Sequence, residues 1–422
     1  MVIIRPPPDP TKPRMQNVII DQPYEFVPPV YGDFWPWLMH QYLKRYLRKS
    51  FGVHSVECRD AHYLKESIEA GHGILVAPNH CRMSDPLALG YLSRIIKRDM
   101  HAMASWHLFK QDWLQRFVMR RMGAFSVYRE GIDRRAIDTA VDILVAGKRP
   151  LVIFPEGAIS RHNDVLMPMM DGPSFIARTA AKRRERLFSE RGGSPGGIVV
   201  HPVAIRYFYK GDVTKTIEPV LEEIESHFSW FPQQDRPLTR RLQQIGQALL
   251  SLKEIEYFGA ARMGDFYQRV DTLIEDVLDK MEKEWQIKEK EEGVVARVKA
   301  IRSAVLPGMI NNSIPDDERR RRWKQLAACY YVQQMSHYPR NYVRNSEHNI
   351  PEHILETVER FEEDFTDKVR IHGPLHAVVQ VGKAIPVASQ RDRSATGDPI
   401  MNGIRTQLTE MLTKLSEESP KI

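Results

Sequence analysis

A histidine and an aspartate five positions apart follow a short apolar run and could carry out proton transfer. The run Ile74–Ala77 has the length of a strand, and His80 and Asp85 lie just beyond it. When the chain turns between such residues, the carboxylate accepts a hydrogen bond from one ring nitrogen and leaves the other free as a general base. His80 could then take a proton from a hydroxyl group. The alternative is that Ser84 or Asp85 only caps a helix that Pro86 opens.

Three further apolar segments lead into residues that could bind a substrate. Arg129 follows the segment that begins at Gly123, and a guanidinium there could bind phosphate or form a surface salt bridge. The segment 154–161 reads Phe-Pro-Glu-Gly-Ala-Ile-Ser-Arg, which joins a carboxylate, a flexible glycine, a hydroxyl and a guanidinium, or is an ordinary turn. Pro202 interrupts the apolar segment 197–205, which predicts an edge strand or a bend.

Strand-like and helix-like patterns alternate from about residue 60 to residue 210, and these elements must position the residues above. Strand-like apolar runs occupy 74–77, 100–104, 124–128, 151–154 and 197–205. Residues with helical spacing separate them, including one predicted helix over 106–122. This alternation predicts an α/β fold, a layered domain with a mixed sheet flanked by helices. Ligands of open α/β sheets bind beyond the carboxyl ends of strands, where the polar residues described above lie.

Changes of pattern along the chain predict four regions. Residues 1–50 form a proline-rich arm and an amphipathic helix, and residues 51–215 form the α/β core. Long helical patterns dominate 216–368 and predict a large helical insertion or subdomain. Residues 369–422 contain one more strand and a final helix, which we expect to return to the core. The basic run Arg319–Arg322 is typical of a solvated helix face.

The composition excludes several classes of protein. The 422 residues carry a formal charge of +7, which suits an anionic partner without identifying it. Three widely spaced cysteines fit neither a disulfide scaffold nor a zinc site, which indicates a reducing compartment. No segment has the roughly 18 uninterrupted apolar residues of a membrane-spanning helix. Eight prolines in the first thirty residues leave no room for a signal peptide, so we expect a cytoplasmic protein, soluble or peripherally bound to a membrane.

Taken in this order, the four motifs resemble those of the glycerophospholipid acyltransferase family, whose best-known members are the lysophosphatidate acyltransferases. The resemblance covers about residues 55–210. It implies an O-acyltransferase of phospholipid biosynthesis, similar to a 1-acylglycerol-3-phosphate O-acyltransferase. Such an enzyme moves a fatty acyl group from a thioester donor to the hydroxyl of a glycerophosphate or lysophospholipid. His80 would be the general base and Asp85 would orient it.

The same resemblance implies the other site residues and the ligands. Arg129 would contact the acceptor's phosphate, Glu156 and Gly157 would shape the acceptor site, and Pro202 would help line the pocket. Asn79 and Arg161 are also expected to bind the substrate. The donor would be acyl-CoA or acyl carrier protein, and neither a metal nor a bound cofactor is implied. The family's third motif usually reads Glu-Gly-Thr-Arg-Ser, but Ala158 and Ile159 replace the Thr and Arg here. Arg161 could supply the missing charge from two positions further on.

An amphipathic helix over residues 34–49 suggests how the chain would reach a lipid acceptor. It combines aromatic and basic side chains, which suits an anionic membrane surface; the alternative is a helix docked only on the protein core. The residues expected to dock at the inner face of a membrane are Trp35, Trp37, Lys44, Arg45 and Arg48.

A second class of function stays open. The altered third motif and the helical region are compatible with a non-catalytic lipid-binding or membrane-scaffold protein that retains the fold. Nucleic-acid binding is disfavoured, because no stacking aromatics or known reader motif accompany the basic residues.

Overall fold

A computed structural model describes residues 18–189, 196–229, 231, 233–288, 293–340, 342, 349–366, 370–390 and 397–421. In this part of the chain the strands are β1 (Val53–Arg59), β2 (Gly73–Pro78), β3 (His101–Ser105), β4 (Ala124–Val127), β5 (Leu151–Val152), β6 (Ile198–Tyr209), β7 (Leu375–Val381) and β8 (Ile385–Val387). The α-helices of the same residues are α1 (Phe34–Phe51), α2 (His62–Glu69), α3 (Asp85–Ile96), α4 (Trp113–Arg121), α5 (Arg134–Ala146), α6 (Gly172–Ser189), α7 (Val213–Glu225), α8 (Leu238–Phe258), α9 (Phe266–Glu284), α10 (Val294–Ile310), α11 (Asp316–Ser336), α12 (Pro351–Thr366) and α13 (Pro399–Ser416).

The strands form one mixed sheet in the order β1-β7-β6-β2-β5-β3-β4, with β8 paired to β6. The strands from β6 to β4 are parallel to one another, whereas β7 and β8 run antiparallel to β6. Helices cover both faces of the sheet. The predicted α/β fold, with a mixed sheet flanked by helices and a large helical addition, is confirmed.

The first alternative predicted for Pro202, an edge strand, is wrong, because β6 is an interior strand. On one side β6 pairs with β2, and Ala77 lies opposite Pro202. On its other side β6 pairs with β8 through Val200 and with β7 from Val203 onward. Pro202 therefore falls where the antiparallel partner changes, and there its missing N–H disrupts neither of the two antiparallel ladders. Its carbonyl oxygen accepts a hydrogen bond from the N–H of Gly382 at 2.7 Å.

Two other predicted elements differ from the observed ones. The single helix expected over 106–122 is divided into a 3₁₀ turn, Trp106–Phe109, and α4. Asp112 causes the division, because its carboxylate caps α4 by accepting a hydrogen bond from the N–H of Gln115. The strand expected over 151–154 ends at Val152, just before the chain turns into the segment 154–161.

The helical region does not separate from the core at the boundaries that we predicted. α7 and α12 stand at the two ends of the predicted 216–368 region, yet both pack on the same face of the sheet as α3. Helices α9, α10 and α11 share a hydrophobic cluster of their own, which Leu250 of α8 joins. We call these three helices the helical addition. In the final segment, β7 lies between β1 and β6, and α13 packs on β6.

The amino-terminal region lies against the core. Residues 1–17 of the proline-rich arm are outside the described residues, but the remainder runs along the edge strand β4. There Val27 exchanges hydrogen bonds with the backbone N–H and the hydroxyl of Ser126, at 3.0 and 2.8 Å. The following helix, α1, buries Leu43 and Leu47 and exposes its opposite face. None of the helices in the described residues is both long and apolar enough to cross a membrane.

Candidate active site

Asn79 directs the loop that leaves β2. Its side-chain amide donates to the carbonyl oxygen of Ile205 at 3.0 Å and accepts from the N–H of the same residue at 2.7 Å. Because Asn79 is buried, these bonds satisfy polar groups that water does not reach. We predicted a substrate contact for Asn79, but its amide instead holds the loop against β6 and so positions the residue that follows.

His80 and Asp85 form the expected pair. The Nδ1 atom of His80 lies 2.8 Å from the Oδ2 atom of Asp85. The carboxylate is completely buried, whereas the imidazole keeps 16% of its surface exposed. With a proton on Nδ1 donated to the carboxylate, Nε2 carries a lone pair and, among the described residues, has no hydrogen-bond partner. The geometry is therefore that of an oriented imidazole with a free basic nitrogen.

Asp85 is itself held by groups that the sequence motifs do not include. Its Oδ1 atom accepts a hydrogen bond from the hydroxyl of Tyr207 at 2.7 Å, and its Oδ2 atom also accepts from the N–H of Arg82 at 2.9 Å. Burial, and secondly the Asp85 carboxylate, raise the pKa of Tyr207 well above its usual value, so this phenol stays a donor. Ser84 donates to the Tyr207 oxygen at 2.8 Å and completes the chain of hydrogen bonds.

Cys81 is the thiol nearest to this site, and its environment makes it a poor nucleophile. The side chain is buried, with its sulfur 3.6 Å from Asp85 Oδ1 and 3.4 Å from the carbonyl oxygen of Ile205. Burial, and then the charge of Asp85, raise the pKa of the Cys81 thiol well above its ordinary value. A protonated, enclosed thiol does not attack substrates, so Cys81 is not a candidate nucleophile.

The segment 154–161 is bonded directly to the backbone of His80. Glu156 accepts the N–H of His80 on Oε1 at 2.7 Å and the N–H of Met167 on Oε2 at 2.8 Å. Ser160 donates its N–H to the carbonyl oxygen of His80 at 2.8 Å, and the ring of Phe154 stacks on the imidazole at a centroid distance of 4.0 Å. These contacts hold both the peptide and the ring of His80.

Glu156 and Gly157 were predicted to shape the acceptor site, and the structure gives both a role in positioning. Burial raises the pKa of Glu156 to about 7, although its two backbone hydrogen bonds oppose the shift. Gly157 has a φ of +66°, and a Cβ atom there would lie 2.1 Å from Cε of Met170. A residue with a side chain would therefore be strained at this turn.

Arg161 does not present a free guanidinium. Its Nη2 atom lies 2.7 Å from Oε1 of Glu363 on α12, and the two side chains form an ion pair in which both are largely buried. The backbone of Arg161 is in the left-handed region, with φ +66°. The predicted contact between Arg161 and a substrate phosphate is thus replaced, in this structure, by a contact with a carboxylate of the same chain.

Helix α12 contacts the loop after β2 and the segment 154–161 through one charged face. Glu359 pairs with Arg82 at 3.0 Å, and Arg360 donates to the carbonyl oxygen of Ser160 at 3.2 Å. Glu356 is buried and accepts from the side-chain amide of Asn163 at 2.6 Å. We did not predict this helix as part of the site, although the spacing of Glu352, Glu356, Glu359 and Glu363 already marks an acidic stripe on one helical face.

Two predicted residues lie away from this cluster. Along β6, Val203 and Tyr207 pack on the α3 face, whereas Val200 and Ala204 pack on the opposite face. Because side chains alternate along a strand, Pro202 lies on the second face. We predicted that Pro202 lines the pocket, but this placement makes it part of the scaffold.

Arg129 lies at the carboxyl end of β4, three strand spacings from β2, or about 14 Å between strand axes. Its guanidinium makes no hydrogen bond or ion pair with the described residues. Burial, and next the charge of Arg302 on α10, lower its pKa to about 10.

Comparison with known proteins identifies the domain in which these residues lie. A family model described as Acyltransferase matches residues 56–206, from β1 to β6. All eight residues that the sequence motifs assign to the site lie in this range, whereas α10 and α12 lie outside it. No curated protein matches the chain, and no solved structure does.

Proposed function

We propose, from the premise that residues 56–206 are an acyltransferase domain of the glycerophospholipid acyltransferase family, that this chain acylates a glycerophosphate or lysophospholipid. The domain supports a general acyltransferase role. The finer proposal is that the fatty acyl group comes from a thioester, either acyl-CoA or acyl carrier protein. The observation that carries it is the His80–Asp85 pair, with Nδ1 held at 2.8 Å and Nε2 left free.

The proposed reaction needs no protein nucleophile. The Nε2 atom of His80 takes the proton of the acceptor hydroxyl, and the oxygen attacks the thioester carbonyl carbon. A C–O bond forms, the C–S bond breaks, and the imidazolium returns its proton to the departing thiolate. Asp85 stabilises the imidazolium while Tyr207 and the N–H of Arg82 hold the carboxylate in place.

Attachment to an anionic membrane surface is part of this proposal, because a lysophospholipid acceptor resides in a bilayer. We define the docking face as the exposed side of α1, with the aromatic residues Phe34, Trp37, Tyr42 and Tyr46 and the basic residues Lys44, Arg45, Arg48 and Lys49. Trp35, which we predicted to dock, instead packs edge-on against Phe117 at 5.0 Å. Trp37 remains 57% exposed, so it is the better candidate for insertion between lipids.

The experiment that tests the proposed function is acyl transfer by the purified chain. Acyl-CoA would be offered with glycerol 3-phosphate, lysophosphatidate and other lysolipids, and release of free thiol would be followed. We expect turnover that requires both a phosphate-bearing acceptor and His80. The rival reading, a non-catalytic lipid-binding scaffold, is motivated by the pairing of Arg161 with Glu363. Vesicle binding without turnover on any acceptor would favour it.

A further inference from the structure

Two arginines from different parts of the chain, one partly buried and one fully buried, lie near each other beside β4. Arg129 ends β4, and Arg302 lies on α10 of the helical addition, where only 5% of its surface is exposed. The next residue of α10, Ser303, donates its hydroxyl hydrogen to the carbonyl oxygen of Glu130 at 2.7 Å. This bond joins the two chain segments immediately beside the two arginines. The helical addition thus reaches the carboxyl edge of the sheet at Arg129.

Neither arginine has an anionic partner within 4 Å among the described residues. The Nε atom of Arg302 is buried without a hydrogen-bond partner, and the guanidinium of Arg129 is likewise unbonded. The nearby groups are Glu130, which forms no ion pair with either arginine, the imidazole of His107, and Cys329 and Tyr330 on α11. Burying a charge without a partner is unfavourable in free energy. An anion from outside the chain would supply the missing partner.

The charges around the two arginines favour an anion further. Burial, followed by Arg129 and Arg302, lowers the pKa of His107 to about 3, so this imidazole is neutral near pH 7. Burial raises the pKa of Cys329 to about 12, so the thiol adds no negative charge. Glu130 is thus the one carboxylate among these neighbours. Two guanidinium forks suit a phosphate group, which can accept several charge-assisted hydrogen bonds at once.

We propose that Arg302 of the helical addition supplies a second guanidinium for the acceptor phosphate, which the family resemblance already assigns to Arg129. The proposal rests on the function proposed above and gives it a substrate determinant outside residues 56–206. Arg129 and His80 both follow the carboxyl ends of mutually parallel strands, β4 and β2, and so lie at the same edge of the sheet. The pairing of Arg161 with Glu363 removes that guanidinium as a ligand for the phosphate.

The test compares Arg302→Gln with Arg320→Gln, a matched control on an exposed position of α11. In the full chain, R302Q should raise the KM for lysophosphatidate about tenfold to a hundredfold, the usual effect of losing charge-assisted hydrogen bonds. The KM for acyl-CoA and turnover of a neutral monoacylglycerol should not change. If the KM for acyl-CoA rises instead, the phosphate bound here belongs to the donor and the acceptor assignment is overturned.

Binding of glycerol 3-phosphate, measured by calorimetry, separates this inference from the proposed function. Arg302-dependent binding without any acyl transfer would overturn the function and leave the phosphate site standing. If the wild type transfers acyl groups but R302Q and R320Q bind glycerol 3-phosphate equally well, the phosphate site alone would be overturned. Arg302→Lys keeps the positive charge but loses the paired N–H donors of the guanidinium. It should bind glycerol 3-phosphate with an affinity between those of the wild type and R302Q. Wild-type affinity in R302K would overturn the proposal even if R302Q failed to fold.

Discussion

The hydroxyl of Tyr207 donates a hydrogen bond to Asp85 at 2.7 Å, on the carboxylate oxygen that does not hold His80. Strand β6 thus fixes the orientation of a pair that lies in the loop after β2. Because Asp85 is completely buried, each of its hydrogen bonds restricts how it can turn. The rate of proton transfer should therefore depend on Tyr207, although this residue need not touch the substrate.

Tyr207→Phe tests this positioning role. We expect kcat to fall about tenfold with little change in either KM, because the imidazole loses orientation but substrate contacts remain. Tyr209→Phe is the matched control. Tyr209 lies on the same face of β6 as Tyr207, but its hydroxyl hydrogen-bonds to Thr216 at 2.6 Å. Both variants should lose about 1 kcal/mol of unfolding free energy. Equal activity of the two variants would remove Tyr207 from the mechanism.

The raised pKa of Glu156 predicts a pH dependence of stability. Burial moves this pKa from 4.5 to about 7, so between these values the folded state binds more protons than the unfolded state. Stability from this group is therefore fully present below about pH 4.5 and is lost as the pH rises through about 7. Urea denaturation at several pH values should show this decline in the wild type.

Glu156→Gln should abolish that part of the decline, because the amide does not titrate in this range. It should also lower kcat, since an amide cannot accept hydrogen bonds on both sides from the N–H groups of His80 and Met167. Glu185→Gln, at an exposed position of α6, is the control. An identical pH dependence in E156Q and the wild type would refute the assignment.

The ion pair of Arg161 and Glu363 predicts a stability effect without a substrate effect. Arg161→Gln should reduce the free energy of unfolding by about 1–3 kcal/mol, because it leaves a largely buried carboxylate without its partner. The double variant with Glu363→Gln should recover most of that loss in urea denaturation. A rise in the KM for lysophosphatidate in R161Q, with stability unchanged, would instead restore Arg161 as a phosphate ligand.

The docking face predicts where membrane attachment resides. Replacing Lys44, Arg45 and Arg48 by Gln should weaken binding to anionic vesicles by about 1 kcal/mol for each charge near the surface. Trp37→Ser should also weaken it by removing an exposed aromatic group, whereas Phe231→Ser, at a site 78% exposed elsewhere, should not. Sedimentation with vesicles at low and high salt measures both effects. Binding that is unchanged in the charge variant at low salt would place attachment on another surface.

Sequence patterns predicted the parts of this site that are local along the chain. The order of strands and loops places His80 and Asp85 in one turn, where their spacing alone allows them to meet. The contribution of Tyr207 depends instead on β6 lying beside β2, a pairing of residues more than 120 positions apart that hydrophobic periodicity does not encode. The same holds for α12, whose acidic stripe is visible in sequence but whose contacts with Arg82 and Arg161 arise only from tertiary packing.

The measurement that tests the central claim most directly is the turnover of His80→Ala beside that of His54→Ala, an exposed histidine on β1. Thiol release from acyl-CoA in the presence of lysophosphatidate would be measured for both, with circular dichroism to verify the fold. We predict that H80A loses about a hundredfold to ten-thousandfold in kcat, the usual contribution of a general base, while H54A matches the wild type. A folded H80A variant with the wild-type rate would contradict the proposal that His80 is the base.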